Sequence, residues 1–250
     1  MMRDYLMHLA DNALILGHRL SEWCGHGPIL EVDMALANIA LDQVGAARSF
    51  YQYAAELDGN GATEDTYPYT RDVRGFRNVL LCELPNGDFA DTIARSLFFD
   101  AYQFLFYTAL QGSTDERLRA IATKSLKEVT YHQKFSSEWT IRLGDGTAES
   151  KQKMQKAIDN LWDYTGELFA PSATETAMLA SGVGVDIASL RSAWEAHIRA
   201  TLEEATLSYP LRKEGAWFQQ GGKTGIHTEY MGFILTEMQY LQKSYPGAEW

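Results

Sequence analysis

Between Glu116 and Leu143 the chain reads ERLRAIATKSLKEVTYHQKFSSEWTIRL, and this stretch constrains the fold more than any other. Leu118, Ile121, Ala122, Leu126, Val129, His132, Phe135 and Trp139 recur at steps of three and four, which lines them along one face of a long helix. Arg119, Lys124, Lys127 and Lys134 fall between them. His132 is the unusual member, because an imidazole on a core face must find a hydrogen-bond partner or a metal. A carboxylate three residues earlier would project from the same side and share a metal with it. That residue is Val129.

Other stretches have the same helical period. Leu6, Leu9, Ala13, Leu16, Leu20 and Trp23 predict a helix over Asp4–Trp23, ended by Cys24–Gly25–His26–Gly27–Pro28. A second is expected from about Glu31 to Leu57 with Met34, Ala37, Leu41, Val44 and Ala47 inward; it is rich in small residues. Asp58–Asp88 holds glycines, two prolines and the turn pair Asn86–Gly87, and is too long for a simple helix connection. A third helix, Phe89 to about Gln111, carries Phe98, Phe99, Tyr102, Phe104, Phe106 and Tyr107. Gly112–Asp115 is a short link with Thr114 or Asp115 as N-cap of the fourth helix. Further helices are expected over Ser150–Phe169, Thr174–Ser181, Asp186–Leu207 and Ile226–Lys243, the last with Ile234, Leu235, Met238 and Leu241 inward; Glu214–Gly225 reads as a loop. Strand signals are confined to pieces such as Val79–Leu80–Leu81. The expected class is therefore all-α: a ferritin-like four-helix bundle, with its single long crossover between the second and third helices and additional C-terminal helices, as one domain over residues 1–250.

Such bundles hold two irons with Glu-x-x-His on two helices and a lone glutamate on each of the other two. No Glu-x-x-His occurs here: His8, His18, His26, His132, His197 and His227 follow Tyr5, Ile15, Trp23, Val129, Trp194 and Thr224 at that spacing. Composition removes other classes. Thirty-three acids against 22 bases give a net charge of −11, which argues against a nucleic-acid partner. No apolar run is long enough for a bilayer, so no membrane role is expected. The first dozen residues meet charge at Asp4 and Asp11, unlike a signal-peptide core. The two cysteines, Cys24 and Cys82, form no motif and read as inert, which fits a reduced, cytoplasmic protein.

Leu41–Asp42–Gln43–Val44–Gly45–Ala46, followed by Tyr51–Gln52–Tyr53–Ala54–Ala55–Glu56–Leu57, resembles the Asp-Glu-Ala-Gly-His helix of the catalytic subunit of bacterial ring-1,2-phenylacetyl-CoA epoxidase. On that match the ligand positions fall on Gln43, Ala46, Val129 and His132, the first-helix glutamate near Leu14, and the third-helix position near Asp100. The chain is still more similar, over nearly its full length, to the family of non-catalytic C subunits (PaaC) of that enzyme. Four motifs carry this likeness: Glu22–Trp23–Cys24–Gly25–His26; Ala35–Leu36–Ala37–Asn38–Ile39; Pro85–Asn86–Gly87–Asp88–Phe89–Ala90–Asp91–Thr92–Ile93–Ala94–Arg95; and Gly221–Gly222–Lys223–Thr224–Gly225–Ile226–His227–Thr228–Glu229, continuing into Glu237–Met238–Gln239–Tyr240–Leu241–Gln242.

The resemblance implies a structural subunit with no catalytic residues, no cofactor and no metal of its own. Gln43, Ala46, Val129 and His132 would then be vestigial, with di-iron only in the partner catalytic subunit. The other epoxidase subunits and the reductase would be further partners, in a system that epoxidises the ring of phenylacetyl-CoA with O2 and NADPH. On this reading the vacated centre closes into a packed interior around His132, with Gln43 filling ligand volume without charge. His132 reads either as a lone metal ligand or as a core histidine hydrogen-bonded to a neighbour such as Glu128, one turn back. Gly221–Gly225 lacks both the spacing and the preceding strand of a phosphate loop. Its amides and Lys223 remain readable as a simple turn or as a contact for a partner carboxylate or a CoA phosphate. Two other functional classes stay open: a di-iron oxygenase or ferroxidase active in its own right, and a homodimer without a catalytic partner.

Overall fold

The structure, a computed structural model, describes residues 1–211 and 217–248. Among these there are ten α-helices and no strand. They are α1 (Met2–Ser21), α2 (Leu30–Asp58), α3 (Thr66–Thr70), α4 (Leu80–Glu83), α5 (Phe89–Leu110), α6 (Glu116–Gly144), α7 (Ala148–Leu161), α8 (Ala173–Ala180), α9 (Arg191–Glu204) and α10 (Glu229–Ser244). The fold is all-α, and α1, α2, α5 and α6 follow one another with the short–long–short links of a ferritin-like bundle. The chain divides into two compact units, Met1–Pro85 with the C-terminal segment from Gln220, and Asn86–Gln219.

In the first unit α1 and α2 pack against each other. Arg3 meets Asp58, Asp11 meets Tyr51, and Gly17 meets Ala40 and Gln43. As one number rises the other falls, so the pair is antiparallel. From Tyr5 to Leu20 every α1 residue except His18 is buried, as for a helix covered on all sides. The polar members of α1 hold the crossover. His8 Nδ1 lies 2.6 Å from the Arg77 carbonyl, Asn12 Oδ1 accepts from the Val79 amide at 2.7 Å, and Arg19 donates to the Glu83 carbonyl at 2.8 and 3.1 Å. α10 packs on α3 and α4, with Met231, Ile234 and Leu235 buried.

The second unit is built on the antiparallel pair α5 and α6, in which Phe89 meets Trp139, Asp100 meets His132 and Gln111 meets Thr123. Asp88 caps α5: its carboxylate accepts from the Ala90 and Asp91 amides, and Asp91 returns a bond to the Asp88 amide. α7 and α9 pack against both α5 and α6. There Trp194 donates to the Phe98 carbonyl at 2.8 Å and its ring meets Phe98, Trp162 and Phe169 at 5.3–5.7 Å. Truncating a buried Trp of this kind costs about 3–5 kcal/mol. The aromatic run of α5 is thus core.

The structure departs from the sequence expectations in several places. On α6 the buried line is Leu118, Ala122, Ser125, Val129, His132, Ser136 and Thr140, while Ile121, Leu126, Phe135 and Trp139 flank it half-buried. At this seam Asp100 of α5 faces His132 and Ser136, and Tyr107 faces Ser125, while Phe98 and Tyr102 turn towards Trp194 and Phe169. On α2 the inward line is Val32, Leu36, Ile39, Gln43, Ala46, Ala47 and Phe50; Met34, Leu41 and Val44 are exposed and Ala37 half-buried. Val79 is extended, but Leu80–Glu83 forms a helical turn rather than a strand. α7 ends at Leu161, and 3₁₀ turns at Trp162–Tyr164 and Gly166–Phe169 finish the stretch expected to be helical to Phe169. α9 begins at Arg191, after a 3₁₀ turn at Ala188–Leu190. α10 starts at Glu229; Ile226 and Leu241 are exposed, and Met238 is half-buried. Part of the expected Glu214–Gly225 loop, residues 214–216, lies outside the described residues; Gly222–Thr224 forms a 3₁₀ turn.

Candidate functional site

The positions that the resemblance marks as ligands divide between the two units. Gln43 and Ala46 lie on the buried face of α2. A Cβ on Gly17 of α1 would stand 3.4 Å from Gln43 Cβ and 3.1 Å from Val44, so the two helices approach closely where Leu14, Gly17 and Gln43 meet. Leu14 itself is buried. In the second unit Val129 and His132 lie one turn apart on the buried face of α6, His132 only 1% exposed.

Asp100, from α5, is a charged neighbour of His132. Glu128, one turn back on α6, also faces Tyr107 of α5, whose hydroxyl pKa it raises together with the larger effect of burial. Asp100 is fully buried, and burial raises its carboxyl pKa to about 6 despite the His132 ring, a hydrogen bond from Ser136 and the Arg95 guanidinium. The Ser136 hydroxyl also lies 3.1 Å from the His132 carbonyl.

This donor set does not fit a di-iron centre. An amide, a methyl group and an isopropyl group stand at three ligand positions, and a leucine stands at the first-helix position. Asp100 and His132 remain, one carboxylate and one imidazole, where such a centre uses four carboxylates and two imidazoles. Among the described residues no three His, Cys, Asp or Glu side chains come together as a metal site. One carboxylate and one imidazole offer no coordination shell for two irons.

Two buried polar networks in the first unit escaped sequence reading. Asp11, on α1, receives Arg71 through Nη1 at 3.0 Å and Nη2 at 2.5 Å, the Arg77 amide at 2.8 Å and the Tyr51 hydroxyl. Arg71 also stacks on Phe76, its Cζ 4.2 Å from the ring centroid. Glu83 is the second centre, receiving Asn78, His227 and the Thr228 amide. Both carboxylates are 0% exposed and serve to hold the crossover. The only sequence signal was an acid inside an otherwise apolar helix. Gly222 and Gly225 pack closely on the same crossover, against the Asn78 and Arg74 carbonyls.

The outer side of α2 is the other notable feature. Leu30, Met34, Leu41 and Val44 fall within a narrow sector of the helix and are exposed, Leu41 by 68%. Ala37 lies among them, and a Cβ on Gly45 would meet nothing within 4 Å. On α10, Phe233 and Tyr240, seven residues apart, are also exposed. A contiguous apolar stripe on a chain of net charge −11 has the character of an interaction face. No helix among the described residues is long and apolar enough to cross a membrane.

Comparison with known proteins accords with this geometry. The C subunit of 1,2-phenylacetyl-CoA epoxidase from Escherichia coli (strain K12) is 52% identical over 246 residues, covering 98% of each chain. The profile of the family described as phenylacetic acid catabolic protein matches residues 2–250. With that match over residues 2–250 and that identity over 98% of both chains, the chain belongs to the phenylacetic acid catabolic protein family.

Proposed function

We propose that this chain is the C subunit of a phenylacetyl-CoA epoxidase of aerobic phenylacetate catabolism: a metal-free, cytoplasmic, ferritin-like subunit, one domain over residues 1–250, that stabilises a catalytic di-iron partner. The observation that carries the reading is the 52% identity to the Escherichia coli C subunit across 98% of both chains. Two features support it. The ligand positions Gln43, Ala46 and Val129 cannot hold iron, which weighs against a di-iron oxygenase or ferroxidase active alone. The exposed stripe on α2 gives a partner helix an apolar face with small residues at its centre. Catalysis then belongs to the partner, fed by a separate reductase, and this chain contributes surface and rigidity. In isolation the same stripe favours self-association into a homodimer.

The test is co-expression with the catalytic subunit and co-purification through a tag on one of them. The pair should elute as a complex, and Leu41→Asp should weaken it about 10-fold or more, since a charge in an apolar interface core is left unpaired. Full solubility and turnover of the catalytic subunit without this chain would overturn the proposal.

A further inference from the structure

The segment Gly221–Glu229 closes on the crossover within the first unit. A Cβ on Gly222 would stand 2.0 Å from the Asn78 carbonyl oxygen, and one on Gly225 would stand 2.5 Å from that of Arg74. Only glycine fits at either point, and Gly225 has φ +82° besides. This close approach delivers His227 to two acceptors. Nδ1 lies 2.7 Å from Glu83 Oε2, and Nε2 lies 3.1 Å from the Phe76 carbonyl oxygen. Glu83 Oε2 also accepts from Asn78 at 2.9 Å, and its Oε1 accepts from the Thr228 amide at 2.6 Å. A carboxylate receiving N–H donors on both oxygens acts as an acceptor, and a peptide carbonyl has no proton to give. Both ring nitrogens therefore donate, which only an imidazolium can do.

We propose that His227, held as an imidazolium between Glu83 and Phe76, is a pH-sensitive clasp fixing the C-terminal arm, residues 221–244, to the crossover. From α4 the ring faces the Glu83 carboxylate, and from the crossover it faces the Phe76 carbonyl, which also accepts from the Arg77 guanidinium through Nη1 at 2.7 Å. Asp11 of α1 adds attraction at longer range, and Arg71 is paired with that aspartate. Arg19, also on α1, reaches Glu83 through its backbone carbonyl and pairs with Glu22. Burial disfavours charge on the ring, but the hydrogen bond to Glu83, its charge, the Phe76 carbonyl and Asp11 together outweigh it, raising the pKa above the ordinary 6.5.

The sign follows from linkage. A histidine whose folded pKa is raised contributes its full stabilisation below about 6.5 and loses it as pH rises through the folded value. A neutral ring donates once, so one of the two bonds fails and Glu83 is left buried without its counter-charge. The bonds from Gln239 to the Pro68 and Arg71 carbonyls, at 2.6 and 2.9 Å, and the buried Ile234 and Leu235 keep the rest of α10 docked. The loosening is therefore local, at residues 221–231.

Hydrogen–deuterium exchange on the full chain, at pH 6.5 and 9.5 with labelling times matched for intrinsic exchange, tests this. Protection of peptides within 221–231 should fall at the higher pH while α5 peptides stay constant. His227→Gln should lower protection at both pH values and remove the pH step. Nitrogen NMR of the histidine rings provides a second readout on the unaltered chain, should the variant not fold: at pH 6.5 the His227 ring should show two protonated nitrogens. Protection in 221–231 that does not change with pH, or a His227 ring with one bare nitrogen at pH 6.5, would overturn the proposal.

Discussion

Replacing Asp100 with asparagine isolates the energetic state of the interior around His132. The carboxyl is fully buried, and its pKa is raised to about 6 from 3.8. The folded state then keeps a proton that the unfolded chain has released between pH 3.8 and 6, so stability falls as pH rises through that window. The shift is about two units; at 1.36 kcal/mol each, the parent loses about 3 kcal/mol by pH 8. Asparagine has nearly the same shape and no charge to desolvate. Its own contacts with Ser136 and Arg95 add an offset that does not depend on pH. Relative to the parent, Asp100→Asn should therefore gain about 2.5 kcal/mol between pH 4 and pH 8. For a chain of this size that is a relative gain of about 5–10 °C in Tm. Thermal or urea unfolding of both proteins at both pH values, in metal-free buffer, measures it. A difference that is the same at pH 4 and pH 8 would refute the reasoning. So would a parent that becomes the more stable protein at pH 8, because a carboxylate bound to a metal is favoured in its charged form.

Val129→Glu places a second carboxylate one turn from His132; urea melts should show a loss of several kcal/mol at pH 8 and a smaller one at pH 5, and parental stability in metal-free buffer would mean the interior is wet. Gln43→Glu should behave likewise on α2, while Ala46→His should cost about 1–3 kcal/mol at either pH by overpacking. Arg71→Met leaves Asp11 buried beside a lost bidentate partner, at a cost of about 3–5 kcal/mol in the same assay; a loss below about 1 kcal/mol would remove the anchoring role given to that pair.

Much of the fold is legible because long helical periods and turn residues fix where helices exist. They do not fix which face turns inward. Met34, Leu41 and Val44 share a face of α2, as their spacing requires, but that face is exposed; the inward one carries Gln43, Ala46 and Phe50. On α6 the buried line includes Ser125, Ser136 and Thr140, whose hydroxyls can be satisfied locally, as Thr140 is by the Ser136 carbonyl at 2.8 Å. A count of apolar residues passes over such positions. The Asp11 and Glu83 networks were hidden for a different reason. Apart from Asn78, five residues from Glu83, their partners lie 40 to 145 residues away in the chain, and no local pattern marks them. His132 was recognisable on α6, but its neighbour Asp100 could be named only by analogy of position. The substrate and the partner came from motif resemblance and full-length identity, not from periodicity or charge.

Iron content tests the central claim most directly. The chain, produced alone in iron-replete cells and purified without chelator, should contain far less than one iron per chain by elemental analysis. Two irons per chain with the spectrum of a carboxylate-bridged pair would contradict the account, since no arrangement of Gln43, Ala46, Val129, His132 and Asp100 supplies the ligands that such a centre requires.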